Sequence, residues 1–550
     1  MSRAGTGPTV ADVVGGMLVR SGIDAAFGVV GSGNFAVTNA MVTAGARYVA
    51  ARHEGGAATM ADAYARMSGG VAALTLHQGC GLTNALTGIT EAAKSRTPLV
   101  VVTAEATNRR SNFFVDQEAL AVAVGAVPMR VAAPEDAGAV AAAAVATARD
   151  DRRVVVLNLP LDVQQLPAEP GEARPVPPRG PRAAPTEDAG RLAEALQRAR
   201  RPVFVAGRGA RGAGSGAALE ALADRCGALL ATSAVSKGLF RGSPWDLDVS
   251  GGFATPLAAE LIGAADLIVG WGCALNMWTM RHGRLIADDA VVVQVDDDAD
   301  AVGTQRPVAF GVVGDVREVA DAVVPLLPGP TTGYRTDEVR AALAARRRWR
   351  DEPFDDGGKA GLVDPRTLTI ALDDLLPADR VVAVDSGNFM GYPSMFLDVP
   401  DEFGFCFTQA FQSVGLGLAT AIGAAVARPD RLPVAALGDG GALMGASELE
   451  TVVRLGLPMV VVVYDDAAYG AEVHHFGPAG HPLDTVRFPE TDFAAIARGH
   501  GFEAVTVRAV GDLGAVREWL AGPRAAPLLV DAKVTRDQPS WWLEEAFRGH

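Results

Sequence analysis

Cysteine is scarce in this chain. The four in 550 residues, at 80, 226, 273 and 406, make no CxxC pair and are too sparse for a disulfide framework. A reducing compartment is expected. Basic clusters are as rare: the longest is Arg346-Arg347-Arg348, and the net charge is −15. Such a surface repels phosphate backbones and anionic lipid, so neither a nucleic acid nor a membrane surface is an expected partner. No uninterrupted apolar run reaches the roughly 18 residues of a membrane-spanning helix. Residues 1–25 lack the basic start, apolar run and small-residue cleavage site of a signal peptide. These absences together predict a soluble, cytoplasmic protein.

What the chain does have is typical of a large globular α/β protein: 49% apolar residues, 21% charged, 63 Gly and 33 Pro. At about 150 residues per domain, the length implies three or four domains. Short apolar runs at 24–30, 71–76, 98–103 and 153–159 alternate with Ala-rich helical patterns, the βαβ rhythm of a doubly wound parallel sheet. Seven prolines between 167 and 185 read as an extended linker. A second series has strands at 202–206, 265–269 and 290–295. After breaks at 328–330 and 355–358, a third has strands at 381–384, 433–437, 459–463 and 527–530. The parse is three doubly wound α/β domains, 1–166, 187–328 and 360–535. No short-period repeat is present, and the first and third domains read as distant structural copies.

The third domain carries the strongest constellation. The strand 433–437 runs into Gly438-Asp439-Gly440-Gly441 and then a helical pattern over 442–455. A glycine turn at a helix N-terminus offers backbone N–H groups to phosphate, and an acid within it can hold the divalent cation that neutralises the phosphate. The next strand ends in Tyr464-Asp465-Asp466. Adjacent parallel strands end side by side, so Asp439 and Asp466 are placed to converge on one ion. A second turn, Ser386-Gly387-Asn388, also leaves a strand; alone, such a turn is more often an ordinary loop.

This pattern resembles the thiamin-diphosphate motif, GDG followed by NN at the next strand end. Nearly the whole chain is similar to the superfamily of acetolactate synthase, benzoylformate decarboxylase and pyruvate oxidase. The resemblance implies a pyrimidine-binding first domain, a Rossmann-like central domain and a diphosphate-binding third domain. It implies Mg²⁺ held by Asp439, Asp466 and the Ala468 carbonyl, with Tyr469 beside the cofactor. It implies that Gly438, Gly440, Gly441, Ser386, Gly387 and Asn388 meet the diphosphate. Val414, small for the purpose, stands where the family wedges the cofactor into a bent shape. The departure is Asp-Asp for Asn-Asn, which adds negative charge beside a diphosphate.

In the first domain, Arg52-His53-Glu54 closes a strand before a helix rich in small residues. By resemblance Glu54 is the acid that bonds the pyrimidine ring and switches its proton, while the cofactor carries the carbanion chemistry. In the family this acid reaches a neighbouring subunit's third domain, which implies a homodimer or homotetramer. Ser32 matches a serine of benzoylformate decarboxylase and is suited to a substrate carboxylate. His77 matches that enzyme's catalytic histidine. Gln117 matches a glutamine facing the thiazolium in acetolactate synthases, but Asp116 replaces their preceding aromatic. Glu472 sits where pyruvate decarboxylases keep a catalytic glutamate. His475 matches the tryptophan of the acetolactate-synthase acceptor pocket, and adjacent His474 is a further proton-relay candidate. Two neighbouring histidines on a helix make a poor metal pair.

The expected reaction is cleavage of a 2-oxo acid with transfer of the acyl group to a second carbonyl. The alternative is simple decarboxylation to an aldehyde. A rival class, a flavin or nicotinamide oxidoreductase, rests on Gly207-Arg-Gly209-Ala-Arg-Gly212 with Glu220 and Asp224 downstream. FAD in the central domain stays open without support, because the flavin segment of acetolactate synthases is replaced by other residues over 272–282. A catalytically dead scaffold is the third reading, and Glu54 and Asp439 argue against it.

Overall fold

A computed structural model gives the fold and describes residues 7–169 and 171–546. Residues 1–6, which open the stretch compared with a signal peptide, and Pro170 of the linker lie outside the described residues.

Each domain is built on a parallel six-stranded sheet with helices on its faces. The first sheet holds β1 (Ala25–Gly28), β2 (Arg47–Ala50), β3 (Ala72–Leu76), β4 (Leu99–Glu105), β5 (Val127–Arg130) and β6 (Val154–Pro160). The second holds β7 (Pro202–Ala206), β8 (Leu229–Thr232), β9 (Asp246–Val249), β10 (Leu267–Trp271), β11 (Val291–Asp296) and β12 (Phe310–Val313). The third holds β13 (Arg380–Val384), β14 (Phe405–Phe407), β15 (Leu432–Gly438), β16 (Val460–Asp465), β17 (Glu503–Val507) and β18 (Leu528–Lys533). Central strands such as β4, β6 and β16 are valine runs buried along their whole length, as a sheet covered on both faces requires.

The first sheet runs β2-β1-β3-β4-β6-β5 and the third β14-β13-β15-β16-β18-β17, the same order counted within each domain. The central sheet runs β12-β11-β10-β7-β8-β9, the doubly wound dinucleotide-binding order. The helical pattern expected over 442–455 is in fact broken. A first helix, Asp439–Met444, stops at Gly445, and a second runs Leu449–Arg454. No helix among the described residues is long and apolar enough to cross a membrane.

The first and third domains share one core. The helix after β2, Glu54–Ser68, crosses the helix after β14, Gly417–Ala427, through small residues. Contact is close enough that a Cβ on Gly423 would lie 2.2 Å from the Met60 carbonyl oxygen. Each domain also lends a buried glutamate to the other. Glu448 accepts from the N–H groups of Arg52 (3.0 Å) and His53 (3.1 Å), just before Glu54. Glu91 accepts from those of Ala410 (3.0 Å) and Phe411 (2.6 Å), before the third-domain helix. Burial works against the charge of Glu91, but Arg66 and these N–H groups outweigh it and hold the carboxyl below its ordinary range.

Candidate active site

In an open α/β sheet a ligand binds outside the carboxyl ends of the strands, where the strand order reverses. In the third sheet that point lies between β13 and β15. The Ser386 turn leaves β13 and the Gly438 turn leaves β15. Both line a cavity of about 900 Å³, together with Val414, Asp439, Asp466, Ala468, Tyr469 and Glu472. Gly387 has φ +143°, in the region that favours glycine.

The floor of this cleft is bare backbone. A Cβ on Gly440 would lie 2.7 Å from the Tyr469 ring, and one on Gly441 would lie 2.3 Å from Asp385 Oδ2. One on Gly470 would lie 2.5 Å from Asp466 Oδ2. Asp385, which the sequence reading passed over, is fully buried and ties three loops together. It accepts from the N–H of Ser386 (2.8 Å) and of Gly415 (3.0 Å), beside Val414, and it touches Gly441. Burial pushes its carboxyl up to about 6, against the pull of those N–H groups.

The two aspartates after β16 divide their work. Asp465 is buried and paired with Lys533 of β18 at 2.6 Å. Asp466 faces the cleft. Burial and then the neighbouring charge of Asp439 raise its carboxyl to about 8. Burial and then Asp465 raise Asp439 to about 6. Two carboxylates disfavoured by burial and by their neighbours need a countercharge, and a divalent cation suits them. Among the described residues no three His, Cys, Asp or Glu side chains gather around one metal position, so any further protein ligand beside these two acids would be a neutral side chain or a backbone carbonyl. The Ala468 carbonyl follows directly in the same loop. The donor set and the glycine cradle therefore fit a cation-bound diphosphate.

The first domain carries a second set of groups. Glu54 opens the helix Glu54–Ser68 and accepts from Asn84 Nδ2 at 3.0 Å. Ser32 follows β1 and His77 follows β3, so both stand at the switch point of the first sheet. The Ser32 Oγ lies 3.4 Å from His77 Nε2. His77 Nδ1 lies 3.1 Å from the Gln78 carbonyl, which only accepts, so Nδ1–H donates there and Nε2 is the ring atom on the Ser32 side. A Cβ on Gly31 would lie 2.3 Å from the His77 ring, which explains the glycine.

Gln117 lies beneath this surface, 2% exposed. It accepts from Gly79 N–H (3.0 Å) and donates to Asn158 (2.8 Å), pinning the loop after His77. Asp116 caps the helix Gln117–Ala123, which accounts for an acid there. The aromatic on this surface is Phe113, whose ring meets the His77 ring edge-on at 5.2 Å.

Among the described residues, none of Ser32, Glu54, His77 and Gln117 lines the third-domain cavity. Within one chain the two groups of residues therefore stand apart. Of the residues after the Asp466 loop, Glu472 reaches the cavity. His474 is half-buried, burial lowers its pKa, and its Nε2 has no partner among the described residues. His475 is exposed and packs edge-on against Phe476.

The cavity also extends to the switch point of the central sheet, at Gly207, Gly272 and Asp296. There the glycines serve close packing: a Cβ on Gly207 would lie 2.4 Å from the Gly272 carbonyl oxygen. The acids downstream of that glycine run lie on the helix Ser215–Cys226, where Asp224 pairs with Arg335.

Comparison with known proteins matches this layout domain by domain. Family models of the thiamine pyrophosphate enzymes cover residues 8–123 (N-terminal TPP binding domain), 189–323 (central domain) and 385–532 (C-terminal TPP binding domain). The chain belongs to the thiamine pyrophosphate enzyme superfamily. It is 30% identical to a sulfoacetaldehyde acetyltransferase of Rhodobacter capsulatus, over 97% of this chain and 94% of that one. It is also 30% identical to a probable 2-ketoarginine decarboxylase of Pseudomonas aeruginosa, over 88% of this chain and 87% of that one. The thiamine diphosphate-dependent 4-hydroxybenzoylformate decarboxylase of Rhodococcus jostii superposes with TM-score 0.79, covering 96% of this chain and 99% of that one. Sequence identity to it is 24%, so that likeness is one of fold. Thiamin diphosphate is the cofactor of this superfamily member, and its relatives include both a transferase and a decarboxylase.

Proposed function

We propose that the protein is a thiamin-diphosphate- and Mg²⁺-dependent enzyme that decarboxylates a 2-oxo acid, with active sites completed between two copies of the chain. The observation that carries this is the pair of half-sites: a cation-and-diphosphate cleft in the third domain, and a proton-handling surface in the first that does not line it. Asp439, Asp466 and the Ala468 carbonyl would hold Mg²⁺. Ser386, Gly387, Asn388 and the turn Gly438, Gly440, Gly441 would hold the diphosphate, and Val414 and Tyr469 would flank the cofactor. The cofactor supplies the electron sink for breaking the bond between C1 and C2. Glu54 of the other copy holds the proton opposite the pyrimidine. Ser32 receives the substrate carboxylate, and Gln117 fixes the loop that carries His77.

The fate of the acyl group depends on proton supply. Overall resemblance leans to transfer onto a second carbonyl. His77 suits protonation of the product, since Nε2 is its ring atom beside Ser32 and, once it has taken up a proton, can deliver it there. Glu472 is a second proton carrier on the cleft side. Acyl transfer remains the second reading, supported by the similarity to an acetyltransferase.

Incubating the holoenzyme with a panel of 2-oxo acids, with and without an acceptor aldehyde, separates the two by mass spectrometry. Aldehyde as the main product supports decarboxylation; hydroxy-ketone as the main product supports transfer. H77A should shift products away from aldehyde, and an unchanged product ratio would remove His77 from the proton step. Visible absorbance of the purified protein tests for flavin in the central part of the cavity.

A further inference from the structure

Beyond β18 the chain does not leave the molecule but crosses the third-domain cleft. Arg536 donates to the Asp466 carbonyl at 3.2 Å, over the metal loop. The Ser540 hydroxyl, 1% exposed, faces the Asn388 carbonyl at 2.7 Å and also the Asn388 side-chain oxygen. Trp542 is 2% exposed, and its ring stands edge-on to Tyr392 at 5.2 Å and to Phe253 of the central domain at 6.4 Å. Its indole lies directly over Gly391, where a Cβ would come within 2.3 Å of the ring. Gly391 has an ordinary helical backbone, with φ −68°, so glycine is needed there for room and not for conformation. The indole N–H has no partner among the described residues, so packing alone holds the ring. Trp542 and Leu543 line the same cavity as Asn388 and Asp466.

We propose that Ser540 and Trp542 are positioning residues for the diphosphate end of the cofactor, and that this C-terminal strap must lift before the cofactor can leave. The strap fixes the turn 386–391 from the cavity side and joins it to the central domain. The inference rests on the reading of that turn as a diphosphate site. Loss of the strap speeds cofactor release and leaves the reaction of bound cofactor alone.

The test uses holoenzyme loaded with thiamin diphosphate and Mg²⁺, freed of excess cofactor by gel filtration. Released cofactor is followed over time by thiochrome fluorescence of the filtrate. S540A should release roughly tenfold faster, the scale of one lost buried hydrogen bond. W542A should release roughly a hundredfold faster, the scale of a lost buried aromatic side chain, with W542F close to wild type. G391A pushes the same indole out from the opposite side and should mimic W542A. The double variant should release no faster than W542A alone.

At saturating cofactor kcat should stay within about twofold of wild type, while KM for cofactor rises with the release rate. If W542A does not fold, S540A and G391A carry the test. Wild-type release rates in S540A and G391A would overturn the proposal, as would a loss of kcat at saturating cofactor with release unchanged. A wild-type protein that retains no cofactor would instead overturn the reading of the turn.

Discussion

The first and third domains share a strand order and a switch point, yet their loops do opposite things. After β1 and β3 the first domain places a hydroxyl and an imidazole, Ser32 and His77. At the equivalent strands β13 and β15, the third places the Ser386 turn and the Gly438–Gly441 turn. After β2 the first domain starts a helix with Glu54; after β14 the third presents Val414. On the proposed function, one scaffold serves as a proton-handling surface in one copy and as an anion cradle in the other. Their buried acids differ in the same sense. Glu91 of the first domain is held ionised by Arg66 and backbone N–H groups. Asp385, Asp439 and Asp466 of the third are all raised, chiefly by burial. On the same proposal the third domain gives up stability that a bound cation would restore, as a preorganised binding site requires.

The contrast can be attacked from both sides. The largest effect is expected from E54Q, which should lower turnover by about 10²–10⁴-fold, the usual range for a proton-transfer group. Cofactor binding and circular dichroism should be unchanged, and full activity would remove Glu54 from the proton step. D439A should weaken Mg²⁺ and cofactor binding by about 100-fold or more, beyond the roughly 10–100-fold cost of losing an outer-shell partner. Calorimetry of the apo protein measures this, and wild-type affinity would refute the cation site.

The reciprocal glutamates come next. E91A leaves buried Arg66 with Asp62 as its remaining carboxylate partner and should cost about 3–5 kcal/mol in denaturant melts. E448A orphans the N–H groups of Arg52 and His53 and should cost about 1–3 kcal/mol. Their functional signatures should also divide: E91A loosens the Val414 loop and raises KM for cofactor, whereas E448A loosens the Glu54 loop and lowers kcat. Identical signatures would mean that the two contacts serve packing alone.

The smallest effect is in pH. A raised carboxyl contributes stability that is fully present below its unfolded pKa and lost as pH rises through its folded value. For Asp385 and Asp439 that value is about 6, and for Asp466 about 8. The apo protein should therefore melt several degrees lower at pH 8.5 than at pH 5, and Mg²⁺ should flatten the slope. Glu91, being depressed, adds its own loss only at pH below the ordinary carboxylate range. A pH-independent apo melting temperature between those values would contradict the burial of the third-domain acids.

Much of this was legible in the sequence because it is local. Valine runs flanked by glycine turns gave the central strands, and two acids at the ends of consecutive strands gave the pair Asp439 and Asp466 that lines the cleft. Edge strands were harder to read. β5 and β17 are partly exposed and carry no continuous apolar run, so they do not stand out from loops. The break at Gly445 was hidden by good helix formers on both sides. Asp385 was within reach, as an acid ending a buried strand just before Ser-Gly. Glu448, Phe113 and Trp542 were not, because each owes its role to a partner far away in the chain or in another loop. Their significance is tertiary, and no spacing rule marks it.

On the proposed function, Glu54 of one chain serves the third-domain cleft of another. Mixing E54Q with D439A tests it most directly, after subunit exchange under mild denaturant. Each variant alone should be nearly inactive. If sites form between chains, half of the exchanged dimers contain one intact site out of two, and activity should return to about a quarter of wild type. If Glu54 and Asp439 of the same chain form the site, every site carries one lesion and the mixture stays as inactive as its parents.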